Sequence, residues 1–355
     1  MYKSSLNTTE TIFILSILII QVQTVTAQTS LQDSTLNNLI HPAGYITSKP
    51  GELGGVKMSG SGKQSMILIP GLGFSAEVFD DFAKAHESNY TMYAITPAGF
   101  GGTPAPSMPD TSVKYSELTW TNGIVTGILN LIEKEHLNKP IIVAHFVTAT
   151  QVALNLALNY PEKLGKVIIM SGSPYRYYAS RKNATTFDWD VENILTPQKR
   201  GELVQAFWAP KWFKTVTKKT WDDNMWTPTD YCQDSVTGKH LYKTSADVPL
   251  QVMIRYLIEW MADDPSKRYK DITVPTLILI PDFSGISLTP DSSITAPTVN
   301  NSKQYLKYFH QYPWKYAKES RNELLQVHTV PNTRLFMWYD NPTAAYSLIK
   351  DFIKK

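Results

Sequence analysis

Short apolar runs alternate with segments of helical periodicity along most of this chain, and that alternation restricts its fold more than any other feature. The runs that predict buried strands are Ser65–Pro70, Tyr90–Ile95, Ile141–Ala144, Val167–Met170, Thr276–Ile280 and Leu325–Thr329. Apolar residues at helical spacing predict helices over Trp120–Glu135, from Ala149 to Tyr160 and around Leu348–Ile353. Strands separated by such helices predict an α/β protein with a mostly parallel sheet, covered by helices on both faces.

The alternation stops between Ser171 and about Lys270, where six of the nine tryptophans lie. Because this stretch interrupts the sheet between two strands, it predicts a helical cap inserted over the strand ends. We therefore expect a first core part over 28–170, an aromatic-rich cap over 171–270 and a second core part over 271–355. A second polar insert, Ser284–Lys303, is predicted to be a mobile loop.

The cap aromatics have two interpretations, and the sequence leaves both open. They can fix the cap to the body of the protein, or they can line a pocket for an apolar, aromatic or sugar-like ligand. The candidate pocket residues are Phe146, Trp208, Trp212, Trp221 and Trp226.

The first 27 residues have the pattern of a signal peptide. Lys3 precedes the apolar run Ile12–Ile20, which is shorter than the roughly 20 residues that a membrane-spanning helix needs. Val25 and Ala27 fit the positions before a signal peptidase cut. We expect a secreted or periplasmic protein without a stable membrane span once this leader is removed. The alternative is an uncleaved N-terminal anchor.

Charge and cysteine content exclude several classes of function. Lys and Arg number 34 against 31 Asp and Glu, a net charge of +3, so nucleic acid is not an expected partner. The single cysteine, Cys232, excludes an intramolecular disulfide and a paired-cysteine metal or redox centre. We expect no metal and no cofactor, and the sequence does not indicate an oligomeric state.

Two glycine motifs resemble nucleotide-binding loops, but the residues around them do not fit that function. Gly71–Ala76 matches the dinucleotide fingerprint G-x-G-x-x-A, but the next strand ends in Ala94-Ile95-Thr96-Pro97, without the carboxylate that would bind a ribose. A Rossmann dehydrogenase therefore remains only a minor alternative. Gly60–Ser65 resembles a phosphate-binding loop, but it has Gln64 where Ser or Thr would bind magnesium, and it precedes a strand rather than a helix.

The segment Ile141–Ala149 (IIVAHFVTA) occupies a strand-to-helix corner, where a hydrolase nucleophile would sit in a G-x-S-x-G elbow. The nucleophile position holds Phe146, which has no lone pair. Ala144 and Ala149 keep part of the small-residue pattern of the corner, whereas Thr148 replaces a glycine.

From about Gly55 to Ile353 the chain resembles the secreted bacterial branch of the α/β-hydrolases, which are esterase- or lipase-like. The segments that carry this resemblance are Leu68–Gly73 with Phe79-Asp80, Ala98–Gly102 (AGFGG), Met261–Asp264 with Ile272–Leu277, and Arg334–Pro342 (RLFMWYDNP). The last is similar to the family's R-H-F-I-M-x-D-x-P, with Leu335 in place of histidine. The resemblance implies an α/β-hydrolase fold with an inserted helical cap.

The resemblance also implies where a catalytic triad would lie. Phe146 takes the nucleophile position, Leu335 takes the base position, and Asp282 or Ser284 would supply the acid after the strand Thr276–Ile280. The oxyanion donors would come from the loop residues Leu72, Gly73 and Phe74 and from the backbone of Val147. In a serine hydrolase, loss of the nucleophile or the base costs on the order of 10⁶ in turnover.

These residues favour a catalytically silent hydrolase fold, a pseudoenzyme, that binds a small apolar or aromatic molecule, or a partner, under its cap. The alternative is an active hydrolase on carboxylic esters or related substrates with a relocated nucleophile or base. Candidates for that role are Ser75, Ser171, Ser173 and Asp282, with His145, His310 or His328 as the base. A drifting gene product without a selected ligand is a third interpretation.

One structural expectation follows from Phe146. A non-glycine residue at positive φ is strained, and that strain is tolerated where chemistry requires it. Without the chemistry, we expect either a relaxed elbow or a Phe146 ring packed among cap aromatics. We also expect His145 to pack behind the elbow and His328 to be buried in its strand.

Overall fold

The computed structural model describes residues 47–110, 112–174, 197–219, 221, 227–284, 310 and 312–355. The predicted leader, Trp189, Trp226 and nearly all of the predicted mobile loop lie outside these residues.

Seven strands form one sheet in the order β1-β3-β2-β4-β5-β6-β7. Their bounds are β1 Gly55–Ser59, β2 Gln64–Ile69, β3 Tyr90–Thr96, β4 Ile141–His145, β5 Lys166–Met170, β6 Thr276–Pro281 and β7 Leu325–Val330. Every neighbouring pair is parallel except β1 with β3, which is antiparallel. The predicted mostly parallel sheet is confirmed.

Helices connect the strands, as the periodicity predicts. The α-helices are α1 Asp80–His86, α2 Thr119–Lys134, α3 Thr148–Asn159, α4 Pro197–Leu203, α5 Ala209–Thr215, α6 Pro228–Tyr231, α7 Ser235–Ala246, α8 Leu250–Ala262, α9 Lys315–Glu319, α10 Met337–Asp340 and α11 Pro342–Lys354. A π-helical turn, Val204–Trp208, joins α4 to α5, and short 3-10 turns cover Ala76–Phe79, Tyr115–Glu117, Pro161–Lys163, Pro265–Asp271 and Tyr312–Trp314.

The centre of the sheet is the core of the protein. All five residues of β4 are buried, as are all six of β6, which is the pattern of strands covered on both faces. Helix α3 follows β4 directly and is also buried along most of its length, because it packs against the sheet beside the elbow.

Strand β1 is the one described strand that the sequence analysis does not predict. It carries only two large apolar side chains, Val56 and Met58, and these are 44% and 65% exposed. A short edge strand with an exposed outer face has no apolar run to reveal it. Lys57 on this strand forms a surface ion pair with Asp80 at 2.7 Å.

Helices α4 to α8 lie in the chain between β5 and β6, where the cap is predicted, and we call them the inserted helices. Within α8, Arg255 and Glu259 form a buried ion pair at 2.9 Å. The Glu259 carboxylate also accepts hydrogen bonds from the backbone N–H groups of Trp120 and Thr121 at 3.0 and 2.9 Å. It therefore caps the N-terminus of α2 from a different part of the chain.

Among the described helices, none combines the length and the apolar character that crossing a membrane requires.

Candidate functional site

The corner between β4 and α3 keeps the strained backbone of a nucleophile elbow. Phe146 has a φ of 68° and Val147 a φ of 36°. Neither residue is a glycine, so both occupy a sparsely populated region of backbone conformation. The neighbouring loop approaches closely, since a Cβ on Gly71 would lie 2.5 Å from the carbonyl oxygen of His145 and 2.7 Å from Cβ of Phe146. Of the two alternatives expected at Phe146, a relaxed elbow does not occur, and the rings of His145 and His310 that Phe146 meets lie outside the predicted cap.

The Phe146 ring is buried, with 1% of the residue exposed. It stacks on the imidazole of His310, with ring centroids 5.9 Å apart, and lies 5.7 Å from the ring of His145. The His310 ring also contacts the ring of Phe283, with centroids 5.5 Å apart. Phe283 directly follows Asp282. Three rings, those of Phe146, His310 and Phe283, thus follow one another across the end of the sheet, and we call them the aromatic column.

His145 is fully buried among aromatic rings, behind the elbow as the sequence predicts. Its closest ring neighbours are Phe336 at 4.3 Å and Trp338 at 4.8 Å. Its Nε2 lies 3.0 Å from the carbonyl oxygen of Leu335, so Nε2 must carry the proton of the neutral ring. Burial lowers the pKa of His145 to about 3, although this hydrogen bond acts in the opposite direction.

Leu335, which the sequence analysis places at the expected base position, is buried and contributes through its backbone. Its carbonyl oxygen accepts from His145 and, at 2.6 Å, from the hydroxyl of Ser171. Its N–H donates to the carbonyl of Asp230 in α6 at 3.2 Å. The base position therefore acts as a hydrogen-bonding junction between the elbow, the end of β5 and an inserted helix.

The Asp282 carboxylate, the main candidate for the acid, organises the ends of β6 and β7. It accepts hydrogen bonds from the backbone N–H groups of Ser284, Asn332 and Thr333 at 3.0 to 3.1 Å. Partial burial acts to raise its pKa, but these hydrogen bonds outweigh that effect and lower the pKa below its usual value. The Ser284 hydroxyl donates to the same carboxylate at 3.0 Å.

The loop that would supply oxyanion donors is buried beneath the inserted helices. Leu72, Gly73 and Phe74 are buried, as is Val147. Gly73 has a φ of 84°, and a Cβ there would lie 2.8 Å from the methyl group of Met253 in α8. The Phe74 ring packs against Phe336 at 5.1 Å. Side chains of the protein itself therefore occupy the space next to this loop.

The described candidate pocket tryptophans pack on one another. Trp208 and Trp212 lie 6.0 Å apart, and Trp212 and Trp221 lie 6.3 Å apart, in edge-to-face arrangements. Trp208 and Trp221 are buried, whereas Trp212 is half-buried. All of these contacts lie within the inserted stretch itself.

The candidate replacement nucleophiles are buried or take part in hydrogen bonds. The Ser75 hydroxyl donates to the carboxylate of Glu77. Ser171 and Ser173 are both buried, and the carbonyl of Ser173 accepts from the indole of Trp260 at 2.8 Å. Among the candidate bases, His310 is buried, and desolvation lowers its pKa to about 3 against opposing hydrogen bonds to the backbone of Ser171 and Gly172. The expectation for His328 is wrong, because this residue is exposed on the edge strand β7, where the outer face is solvated.

Arg334 and Asp340 of the C-terminal motif form hydrogen bonds to the chain of the inserted helices. Arg334 donates through its guanidinium to the carbonyls of Thr229 and Cys232, the latter at 3.1 Å. Asp340 accepts from the backbone N–H groups of Arg334 and Gln233 at 2.7 and 2.6 Å. It also accepts from the Cys232 thiol, and burial together with this carboxylate raises the pKa of Cys232 to about 12. The thiol is therefore protonated and unreactive at neutral pH.

Sequence reasoning missed the aromatic column and the junction at Leu335. His310 and Phe283 carry no local motif, and a backbone carbonyl acceptor leaves no mark in a sequence. Within the described residues, no three His, Cys, Asp or Glu side chains form a group that could hold a metal ion.

Several solved structures match this fold over most of the chain. An enol-lactonase from Burkholderia xenovorans LB400 matches with a TM-score of 0.57 at 11% identity, over 85% of this chain and 96% of that one. An esterase from Exiguobacterium antarcticum matches with a TM-score of 0.56 at 15% identity, over 84% and 95%. The chain has the α/β-hydrolase fold. A serine hydrolase from Cycloclasticus zankles matches similarly, with a TM-score of 0.56 at 15% identity, over 84% and 93%.

No family model matches the sequence of this α/β-hydrolase-fold protein. Identities this low establish the fold alone, because one fold supports many different sites.

Proposed function

We propose that this α/β-hydrolase-fold protein lacks serine-hydrolase activity and binds a small apolar or aromatic molecule between its inserted helices and its core. The observation that carries the proposal is the Phe146 ring, which is buried at the nucleophile position and stacked on His310. A phenyl ring offers no nucleophile, and its contacts leave no exposed group at the elbow for a substrate to reach.

The candidate base His145 and the candidate acid Asp282 support the same conclusion. A general base must accept a proton near neutral pH, but the pKa of His145 is about 3 and its Nε2 hydrogen is bonded to the carbonyl of Leu335. The Asp282 carboxylate is committed to backbone N–H groups of the β7 turn. By contrast, Arg334 and Asp340 keep contacts that stabilise the scaffold. The sites of chemistry are replaced while the structural anchors remain.

Ester hydrolysis tests the loss of activity. The purified chain would be assayed with 4-nitrophenyl acetate and butyrate beside Phe146→Ala, and both would be treated with a fluorophosphonate that labels activated serines. We expect no turnover above the variant and no labelling. Turnover by the parent, or labelling of a single serine, would refute the proposal.

A hydrolase with a relocated nucleophile is the second candidate, and Ser171 is the residue that favours it. Ser171 has a φ of 53°, and its hydroxyl shares the Leu335 carbonyl with His145. Strain of this kind is often kept at functional residues. In that case Ser171→Ala would abolish turnover, whereas Phe146→Ala would retain it. The full burial of Ser171 argues against this candidate.

We further propose that residues 1–27 direct export and that the mature chain is secreted or periplasmic. The apolar run Ile12–Ile20 and the small residue Ala27 support this assignment. N-terminal sequencing of the protein from cell fractions tests it. We expect a mature chain that begins near Gln28 outside the cytoplasm, and an intact N-terminus in the cytoplasm would contradict it.

A further inference from the structure

Positive charge is concentrated on helix α5 and the residues that follow it. Between Glu202 and Asp222 the chain has four lysines and no Asp or Glu, although the net charge of the whole chain is only +3. All four lysines are exposed: Lys211, Lys214, Lys218 and Lys219. The next acidic residues along the chain are Asp222 and Asp223. Helix α5 itself therefore carries positive charge without a carboxylate on the same helix.

The inner side of α5 is fixed to the protein. Trp208 and Ala209 at its start are buried, and the half-buried Trp212 packs its ring against that of Trp208 at 6.0 Å. Lys211 and Lys214 are three residues apart and both exposed, so they lie on the same side of the helix, away from these buried residues. The structure thus holds both ammonium groups on one outer side.

Neither of these two lysines is neutralised within the described part of the chain. No carboxylate there lies within salt-bridge distance of Lys211 or Lys214. The Lys211 ammonium lies 5.4 Å from the centroid of the half-buried Phe207 ring. Such a cation–π contact positions the ammonium group and leaves its charge in place. Both groups therefore remain able to pair with an anion.

Half-buried apolar side chains accompany the two lysines. Phe213 lies between them in the chain, and Phe207 and Val216 flank α5 at its two ends. Lysines beside phenylalanine rings are typical of segments that bind at a membrane surface, where the rings enter the headgroup region and the ammonium groups meet the phosphates. Single-stranded nucleic acid also binds lysines and aromatic rings, but its bases need an open ring face to stack on. Lys211 covers a face of Phe207, which favours a lipid surface.

We propose that the outer side of α5, formed by Phe207, Lys211, Phe213, Lys214 and Val216, binds the surface of a membrane that contains anionic phospholipids. The two ammonium groups pair with headgroup phosphates, and the Phe213 ring enters the headgroup region. This inference does not depend on the proposed ligand binding, because none of these residues except the helix they share with the cap aromatics is involved in it.

Matched variants separate charge, apolar contact and general effects. Lys211→Gln with Lys214→Gln removes both charges, whereas Lys211→Arg with Lys214→Arg keeps them. Phe213→Ser removes one ring. The control is Lys63→Gln with Lys139→Gln, which removes the same charge from exposed lysines that precede β2 and β4.

Binding is measured by co-sedimentation with vesicles of phosphatidylcholine alone, or in equal parts with phosphatidylglycerol, at low and high salt. We expect the parent, the arginine pair and the control to bind the anionic vesicles at low salt, and to bind neither the neutral vesicles nor, at high salt, the anionic ones. The glutamine pair should lower the partition coefficient about thirtyfold, and Phe213→Ser should lower it several-fold.

Equal binding by the parent and the glutamine pair, or no binding of the parent to the anionic vesicles, would overturn the proposal. Binding of the parent to polyuridylate but not to vesicles would also overturn it, and would assign the lysines to nucleic acid. Equal unfolding temperatures of the parent and the glutamine pair would confirm that lost binding reflects the two charges and not the fold.

Discussion

At the corner between β4 and α3, Phe146 has a φ of 68° although it is not a glycine. This conformation predicts an unusual order of stability for two truncations. Both Phe146→Ala and Phe146→Gly lose the buried ring, which we expect to cost about 3–5 kcal/mol of unfolding free energy. Glycine alone has no Cβ penalty at positive φ, so Phe146→Gly should be more stable than Phe146→Ala by about 1 kcal/mol. Urea denaturation measures both.

Phe82 is the matched control for this comparison. It is equally buried, but it lies within the helix α1. There we expect the opposite order, with Phe82→Gly less stable than Phe82→Ala by about 0.5–1 kcal/mol. The same order at both positions would mean that the elbow does not hold Phe146 at positive φ in solution.

The expectations for Phe146 and Leu335 rest on motifs that are continuous in the chain, because each residue stands within a run of recognisable neighbours. The ring partners of Phe146 could not be predicted, because His310 follows the long insertion and a polar segment. The junction at Leu335 depends on its main-chain carbonyl oxygen, and a residue of any type at that position would supply the same oxygen.

Helix α2 depends on a carboxylate from another element. Its preceding residue, Leu118, offers no capping side chain, and Glu259 of α8 accepts from Trp120 and Thr121 instead. Glu259→Ala would leave those N–H groups unpaired and Arg255 buried without its carboxylate. We expect a loss of about 3–5 kcal/mol in unfolding free energy, measured by urea denaturation.

Two comparisons separate this effect from a general loss of charge. Glu202→Ala removes an exposed carboxylate in α4 and should change stability by less than about 0.5 kcal/mol. Replacing Arg255 and Glu259 together by methionine should cost less than the two single replacements combined, because neither charge is then left unpaired. Additive effects would show that the Arg255 and Glu259 charges do not stabilise one another within α8.

Strands were predictable where they carry an apolar run. The six predicted strands are found within one residue of their expected ends. Most residues of β2 to β6 are buried, whereas the edge strand β7 is mostly half-buried or exposed. Strand β1 was missed because its apolar side chains are exposed. Among the inserted helices, aromatic and lysine residues alternate without a single dominant period, so the sequence indicated helices there but not their bounds.

For the whole molecule, three titratable groups with shifted pKa values shape how stability depends on pH: the buried His145 and His310 and the half-buried Asp263. Burial lowers the pKa of His145 and His310 to about 3 from 6.5, and it raises the pKa of Asp263 to about 6 from 3.8. Below pH 6.5 the unfolded chain protonates both histidines while the folded chain does not, so acid destabilises the fold. Between pH 6 and 4 the folded Asp263 holds a proton that the unfolded chain has released, so this group acts in the opposite direction.

These signs predict the slope of unfolding free energy between pH 6 and 4. Each proton bound in only one state contributes about 1.4 kcal/mol per pH unit, so the three groups together lower stability by about that amount per unit of acidification. Asp263→Asn should steepen the slope by about 1.4 kcal/mol per pH unit, the contribution of one proton. It should also raise the free energy of unfolding at pH 7. His310→Phe, which keeps a ring between Phe146 and Phe283, should reduce the slope by about one proton whatever its overall stability. Urea denaturation of the parent and both variants at four pH values measures the differences, in which titrations common to all three cancel. Parallel curves for the parent and both variants would mean that neither Asp263 nor His310 is buried in solution as the structure has it.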